Sequence, residues 1–205
     1  MCYYRSSDWL QHVPEILLYM RSFIAIAIPP AIKSSIDGVI RSISGDVRGI
    51  RWVSTENIHL TLKFLGDVSD DLVPDIENRL KLIGKRYQPF SICIRGAGAF
   101  PNFKNPNVLW LGVEVSDQLG ALFRDIDATL SEIGFEKDSR RFLPHLTIGR
   151  VKDRHNIGPV LNELSTYKDA FFGTIEIREI LLMESVLKPS GAEYSKAAII
   201  KLNIA

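Results

Sequence analysis

The chain has 205 residues, of which 46% are hydrophobic and 24% charged, with 25 Lys+Arg against 24 Asp+Glu. This is the balance of one globular unit, or of two small lobes sharing a core, and it excludes a disordered or collagen-like chain. A formal net charge of +1 provides no whole-protein basic field of the kind that coats long nucleic acid, so any contact with nucleic acid has to be local.

There are two cysteines, Cys2 and Cys93, and no CxxC or other metal-ligand spacing, so neither a disulfide framework nor a zinc site is expected. A cytoplasmic location is the expectation from that usage. The longest apolar stretches, such as residues 23–32, fall far short of the roughly 20 residues a membrane span needs, so no membrane association is expected. Residues 1–19 mix Trp9, Leu10 and Ile16 with Arg5, Asp8, His12, Pro14 and Glu15, without the uninterrupted apolar stretch of a secretory signal. They read as an accessory segment or an artefact of start-site choice, with one ordered domain over residues 20–205.

In chain order, a strand is predicted at residues 22–28, closed by Pro29-Pro30. Ile32, Ile36, Val39, Ile40 and Ile43 then recur at helical spacing up to Gly45. A short strand at 49–53, a turn at 54–57 and a longer strand at 58–65, ended by Gly66-Asp67, come next. A helix over 69–87 carries Leu72, Ile76, Leu80 and Ile83 on one face. Strands at 90–99 and 108–115 flank a loop rich in Pro and Asn. The second half repeats the grammar with a helix at 117–133, a charged loop at 136–141, a strand at 143–152 and a helix at 157–167. Two long strands, 170–187 and 194–202, complete the chain. Several strands follow one another directly, which predicts an α+β fold with antiparallel sheets rather than a doubly wound parallel sheet.

One tetrapeptide occurs twice: His59-Leu60-Thr61-Leu62 and His145-Leu146-Thr147-Ile148, 86 positions apart, each on a predicted strand. Alternation along a strand points His59 and Thr61 one way and Leu60 and Leu62 the other, and the second copy behaves alike. A single H-x-T conveys little, because any half-buried strand has a polar face. Two copies at corresponding places suggest duplicated lobes presenting two imidazoles and two hydroxyls to a shared cleft. Imidazole titrates near pH 6.5, so one His can serve as acid while the other serves as base. Threonine hydroxyls on the same face can donate to an anionic oxygen between them. Such a set suits in-line displacement at phosphorus. No Asp, Glu or Cys stands at ligand spacing beside either His, so neither a metal nor another cofactor is expected.

With these residues the sequence resembles the two-histidine (2H) phosphoesterase superfamily, defined by two H-x-T/S-x motifs in pseudosymmetric lobes. The resemblance extends through Met20 to Ile26, through the run from His59 to Gly66, and through Pro144 to Lys152. Its nearest branch is the RNA 2′,3′-cyclic phosphodiesterases, the LigT-like proteins historically called 2′-5′ RNA ligases. The resemblance implies two lobes with antiparallel sheets around a central cleft and helices outside. It also implies that the partner is an RNA with a 2′,3′-cyclic phosphate end, hydrolysed to a 2′-phosphate; separately, no obligate protein partner is evident in the sequence and a monomer is expected. Carried over by motif, His59 is the proton donor to the leaving 3′ oxygen and His145 the acceptor of the proton from water, with Thr61 and Thr147 on the phosphoryl oxygens. Strand parity alone does not divide acid from base.

Arg150 resembles the basic residue that commonly follows the second motif. Simple alternation turns it to the wrong face, unless Gly149 marks a bulge that re-aims it. At the equivalent offset in the first half Phe64 reads as core in preference to a base-stacking surface. Lys63 shares the parity of His59 and Thr61 and is a candidate phosphate contact. Phe100, Phe103 and Lys104 are candidates for contacts with an RNA base or backbone, and Arg140-Arg141 for a basic rim. His12 and His155 lack the Thr partner and read as surface histidines. Alternatives of the same mechanism are action on 2′-5′ oligonucleotides or another cyclic nucleotide derivative, and reversal to 2′-5′ ligation. A non-catalytic RNA-end binding module is the alternative of a different class.

Overall fold

The computed structural model describes residues 19–45, 47–189 and 191–203. Residues 1–18, almost all of the segment set apart above, lie outside them. Among the described residues the elements run β1 (Tyr19–Ala27), α1 (Pro30–Ser44), β2 (Ile50–Trp52), a 3-10 turn (Thr55–Asn57) and β3 (His59–Ser69). A second 3-10 turn (Asp70–Leu72) leads into α2 (Val73–Gly84), β4 (Phe90–Phe100), β5 (Val108–Val113) and α3 (Asp117–Ser131). The chain continues with β6 (His145–Val151), α4 (Gly158–Thr166), β7 (Phe171–Ile177), β8 (Glu179–Lys188) and β9 (Gly191–Lys201).

All strand pairs are antiparallel and form one sheet in the order β7-β4-β5-β6-β3-β1-β8-β9, with β2 also on β6. The order is two four-stranded halves, β3-β1-β8-β9 and β6-β5-β4-β7, joined where β3 meets β6. That junction is one residue pair, Leu60 with Leu146. Farther along β6 its edge is taken over by β2, where Trp52 faces Gly149 and Ile50 faces Val151. The α+β class with two antiparallel lobes is the observed architecture.

The helices cover one face of the sheet. Ile36, Val39, Ile40 and Ile43 of α1, Ile76, Leu80 and Ile83 of α2, and Leu119, Leu122, Ile126 and Leu130 of α3 are buried, each set recurring every three or four residues. α1 opens with Pro30 in its first turn, where no amide hydrogen is needed. α3 is capped by Ser116, whose hydroxyl accepts from the Leu119 amide at 3.1 Å. These side chains form one core with Ile24, Ile26, Leu60, Leu109, Leu111, Leu146 and Ile148 from the sheet. Among the described residues the opposite face holds a small apolar cluster of Phe23, Ala25, Leu181 and Met183, with Tyr194 packed on it.

Two predicted strands differ from the observed ones. β3 does not end at Gly66: Ser22 pairs with Gly66 and Phe23 with Phe64, so Leu65 is an extra residue and pairing resumes beyond it. The continuous strand expected at 170–187 is two, broken at Arg178. β7 pairs with β4 at one end of the sheet and β8 with β1 in the other lobe. Hydrophobic content is continuous across the break, and only the pairing partners change.

Candidate active site

The two H-x-T strands lie side by side. Because Leu60 and Leu146 face each other and both point into the core with no exposed surface, the antiparallel register sets His59 level with Thr147 and Thr61 level with His145. All four polar side chains therefore stand on the open face, each His diagonal to the other.

Each imidazole is oriented by its own strand. His59 Nδ1 donates to the Asn57 carbonyl at 2.7 Å, and His145 Nδ1 donates to the Leu143 carbonyl at 2.8 Å, in both cases two residues back. A carbonyl only accepts, so Nδ1 carries the hydrogen and Nε2 is the atom turned to the cleft. Aromatic rings complete each seat. Phe23 lies 4.7 Å and Tyr194 5.1 Å from the His59 ring centre, and Phe100 stands edge-on at 4.9 Å from His145. Both threonines are half-buried, and among the described residues neither hydroxyl has a hydrogen-bond partner.

The strands depart from simple alternation at the same place in both copies. On β3, Thr61 pairs with Ala25 and Lys63 with Ile24, leaving Leu62 as an extra residue. On β6, Thr147 pairs with Trp110 and Gly149 with Leu109, leaving Ile148 extra. Each bulge turns the next two residues over. Lys63, expected beside His59 and Thr61, is instead buried on the helix side, where Nζ is 2.5 Å from Asp127 Oδ1 and 2.7 Å from the Glu136 carbonyl oxygen. It holds the loop that leads to His145 and does not face the cleft. Phe64, expected in the core, is 70% exposed on the His59 face with its ring 6.0 Å from that of Phe23. Arg150 is exposed on the His145 face, pairing with Val108, which shares the face of Trp110 and Gly112.

His59 titrates below the ordinary histidine value. Burial is the main cause, and the positive charges of Arg150 and Lys33 add to it, against the raising effect of the Asn57 carbonyl. Sequence reasoning missed four neighbours. Arg51 of β2 pairs with Arg150 and so shares its face, and it reaches the β8-β9 hairpin: a Cβ on Gly191 would come within 2.5 Å of its Nη2. Lys33, Tyr194 and Lys196 line a cavity that also touches His59. Arg51 carries the one local signal, a charge inside the apolar run Ile50 to Val53; the strand pairing that places Tyr194 and Lys196 and the helix packing that places Lys33 leave none.

Of the remaining candidates, Phe100 packs on Trp110 and His145 at the end of β4, while Phe103 and Lys104 stay on the surface of the following loop. Arg140 pairs with Asp138, and Arg141 is exposed nearby. His155 is exposed in the turn before α4, and His12 lies outside the described residues. Among the described residues no cluster of three or more His, Cys, Asp or Glu comes together as a metal site, and no helix is long and apolar enough to cross a membrane.

Two imidazoles with cleft-facing Nε2 atoms, two threonine hydroxyls and a guanidinium on one open sheet face define a phosphoesterase of the paired-histidine class. Sequence comparison specifies it further. The chain belongs to the LigT-like phosphoesterase family, whose sequence model matches residues 26–110 and again 111–194, one match for each motif. It is 37% identical over 175 residues to an RNA 2′,3′-cyclic phosphodiesterase of Archaeoglobus fulgidus, covering 85% of this chain and 96% of that protein. To one of Methanocaldococcus jannaschii it is 38% identical over 175 residues, with the same coverage. A Thermus thermophilus protein of known crystal structure superposes with a TM-score of 0.77 at 25% identity, covering 89% of this chain and 98% of the other.

Proposed function

We propose that this protein is an RNA 2′,3′-cyclic phosphodiesterase that opens a terminal cyclic phosphate to a 2′-phosphate. The observation that carries the reading is the matched pinning of both imidazoles, which gives two identical tautomers with Nε2 aimed at one cleft. Relatives that bear this activity in their names, at 37% and 38% identity over most of the chain, support it.

In the proposed reaction the cyclic phosphate sits between the two motifs. His145 Nε2 takes a proton from water as its oxygen attacks phosphorus, the bond from phosphorus to O3′ breaks, and protonated His59 gives its proton to O3′. The products are a 2′-phosphate and a free 3′ hydroxyl. Thr61 and Thr147 donate to the phosphoryl oxygens as charge builds on them, and Arg150 balances that charge. His59 has to be protonated to act as the acid. Burial is the main cause of the lowered His59 value and the charges of Arg150 and Lys33 add to it; a bound phosphate offsets that added charge and so favours the protonated acid. As part of the same reading, residues 20–205 form the catalytic unit, both histidines come from one chain so that a monomer suffices, acid and base need no metal, and the enzyme works in the cytoplasm.

The test is a short RNA with a 2′,3′-cyclic phosphate, incubated in EDTA with the wild type, His59→Ala and His145→Ala. We expect hydrolysis to the 2′-phosphate by the wild type and a loss of about 100-fold or more in each variant. A 3′-phosphate product reverses the donor assignment, and activity that survives in both variants removes the mechanism.

A further inference from the structure

The two lobes treat the space beside their histidines differently. On the second lobe the strand next to the motif carries Trp110 level with Thr147, and its indole lies flat over Gly98 of β4, so close that a Cβ there would overlap the ring. On the first lobe the equivalent neighbours are small. Ala25 is level with Thr61 and Ala27 with His59. The room that Trp110 fills on one side is left on the other as a cavity of about 300 Å³.

The cavity has an apolar floor and a charged rim of two lysines and Glu56, whose carboxylate is paired with one of them. Ala25, Ala27 and Met183 form the floor, Tyr194 one wall, and Lys33 and Lys196 reach it from α1 and β9. Lys33 Nζ is anchored to the Glu56 carbonyl at 2.8 Å and its carboxylate at 3.2 Å, which leaves a third N–H to give. Lys196 is exposed and, among the described residues, has no ion-pair partner. Such a site suits an anion with an apolar stem.

The direction of the substrate follows from the reaction, and this step rests on the reading above. If His59 protonates O3′, that oxygen is apical on His59's side of phosphorus, opposite the water held by His145. The sugar then continues from C3′ over β1, away from the second lobe. From C3′ the next atoms are C4′, C5′, O5′ and the phosphorus of the upstream nucleotide link, whereas the base hangs from C1′ on the other side of the ring. We propose that the cavity beside His59 is a subsite for the phosphodiester immediately upstream of the terminal nucleotide, held by Lys33 and Lys196. The site thereby distinguishes the end of an RNA strand from a free cyclic mononucleotide.

The experiment compares kcat/KM for a nucleoside 2′,3′-cyclic phosphate with a free 5′ hydroxyl and for a dinucleotide ending in the same cyclic phosphate. The wild type is expected to prefer the dinucleotide by about tenfold or more, the scale of a charge-assisted hydrogen bond, and less so at high salt. Lys196→Ala is expected to bring the ratio close to one, and Lys196→Arg to restore it. Equal use of both substrates by the wild type, or a wild-type ratio in Lys196→Ala, overturns the subsite while leaving the enzymatic reading intact. Failure of the wild type to open either substrate overturns both.

Discussion

The first and second lobes share a tetrapeptide, a tautomer and a bulge, yet differ at the residues that follow. After Thr61 come Leu62, Lys63 and Phe64; after Thr147 come Ile148, Gly149 and Arg150. The bulge treats both sets alike, sending the second of each to the helix side and the third to the cleft. Duplication thus reproduces the paired-imidazole frame, and substitution at the third position sets a flat aromatic surface on one lobe against a guanidinium on the other. The second position separates a structural lysine, which ties β3 to α3 and the following loop, from a glycine that lets Trp52 and Ile50 approach β6.

The largest effect expected from breaking this comparison is on stability. Lys63→Ala leaves the Asp127 carboxylate with the Asp138 amide but no countercharge and frees the Glu136 carbonyl, and should cost about 3–5 kcal/mol in urea denaturation, the usual result of removing one member of a buried pair. A loss below about 1 kcal/mol would return Lys63 to the surface. Next is the contrast at the third position. Arg150→Ala should lower kcat/KM on a cyclic-phosphate RNA by about 10²–10³-fold through lost charge stabilisation, whereas Phe64→Ala should lower it by about tenfold or less, the worth of a stacking contact. Equal losses would erase the division of labour between the lobes.

The smallest effect is a pH dependence. Folded His59 binds its proton less readily than an unfolded histidine, which titrates near pH 6.5. Its contribution to stability is therefore complete above about pH 6.5 and is lost as pH falls through the lowered folded value. His59→Gln should flatten the slope of unfolding free energy between neutral and mildly acidic pH, and an unchanged slope would place its origin elsewhere.

Much of the site was legible because a strand has period two. That alone put His59 with Thr61 and His145 with Thr147, and the apolar periodicity of α1, α2 and α3 marked the helices that cover the other face. Parity failed one step later, at Lys63 and Phe64, because a bulge adds a residue without altering composition. Gly149 betrayed the bulge in the second copy; in the first, Lys63 stands at that position and gave no sign. Lys33, Tyr194 and Lys196 come to the cleft from elements far apart in the chain, and neither helix packing nor pairing across a sheet leaves a mark in any one of them; Arg51 shows only as a charge in an apolar run. The division of residues 170–187 was hidden for the same reason.

The break at Arg178 has a consequence for how the molecule is made. The first lobe is not closed by its own half of the chain: β1 stays an open edge until β8 and β9 arrive, after the whole second lobe has been laid down. The cavity beside His59 is built partly from those last strands, through Met183, Tyr194 and Lys196. Such distant pairings are slow to form, and an emerging chain has to keep β1 unpaired and safe from neighbours in the meantime. Neither duplicated half is then a separable piece, and the side of the cleft that carries the cavity is among the last parts of the protein to take shape.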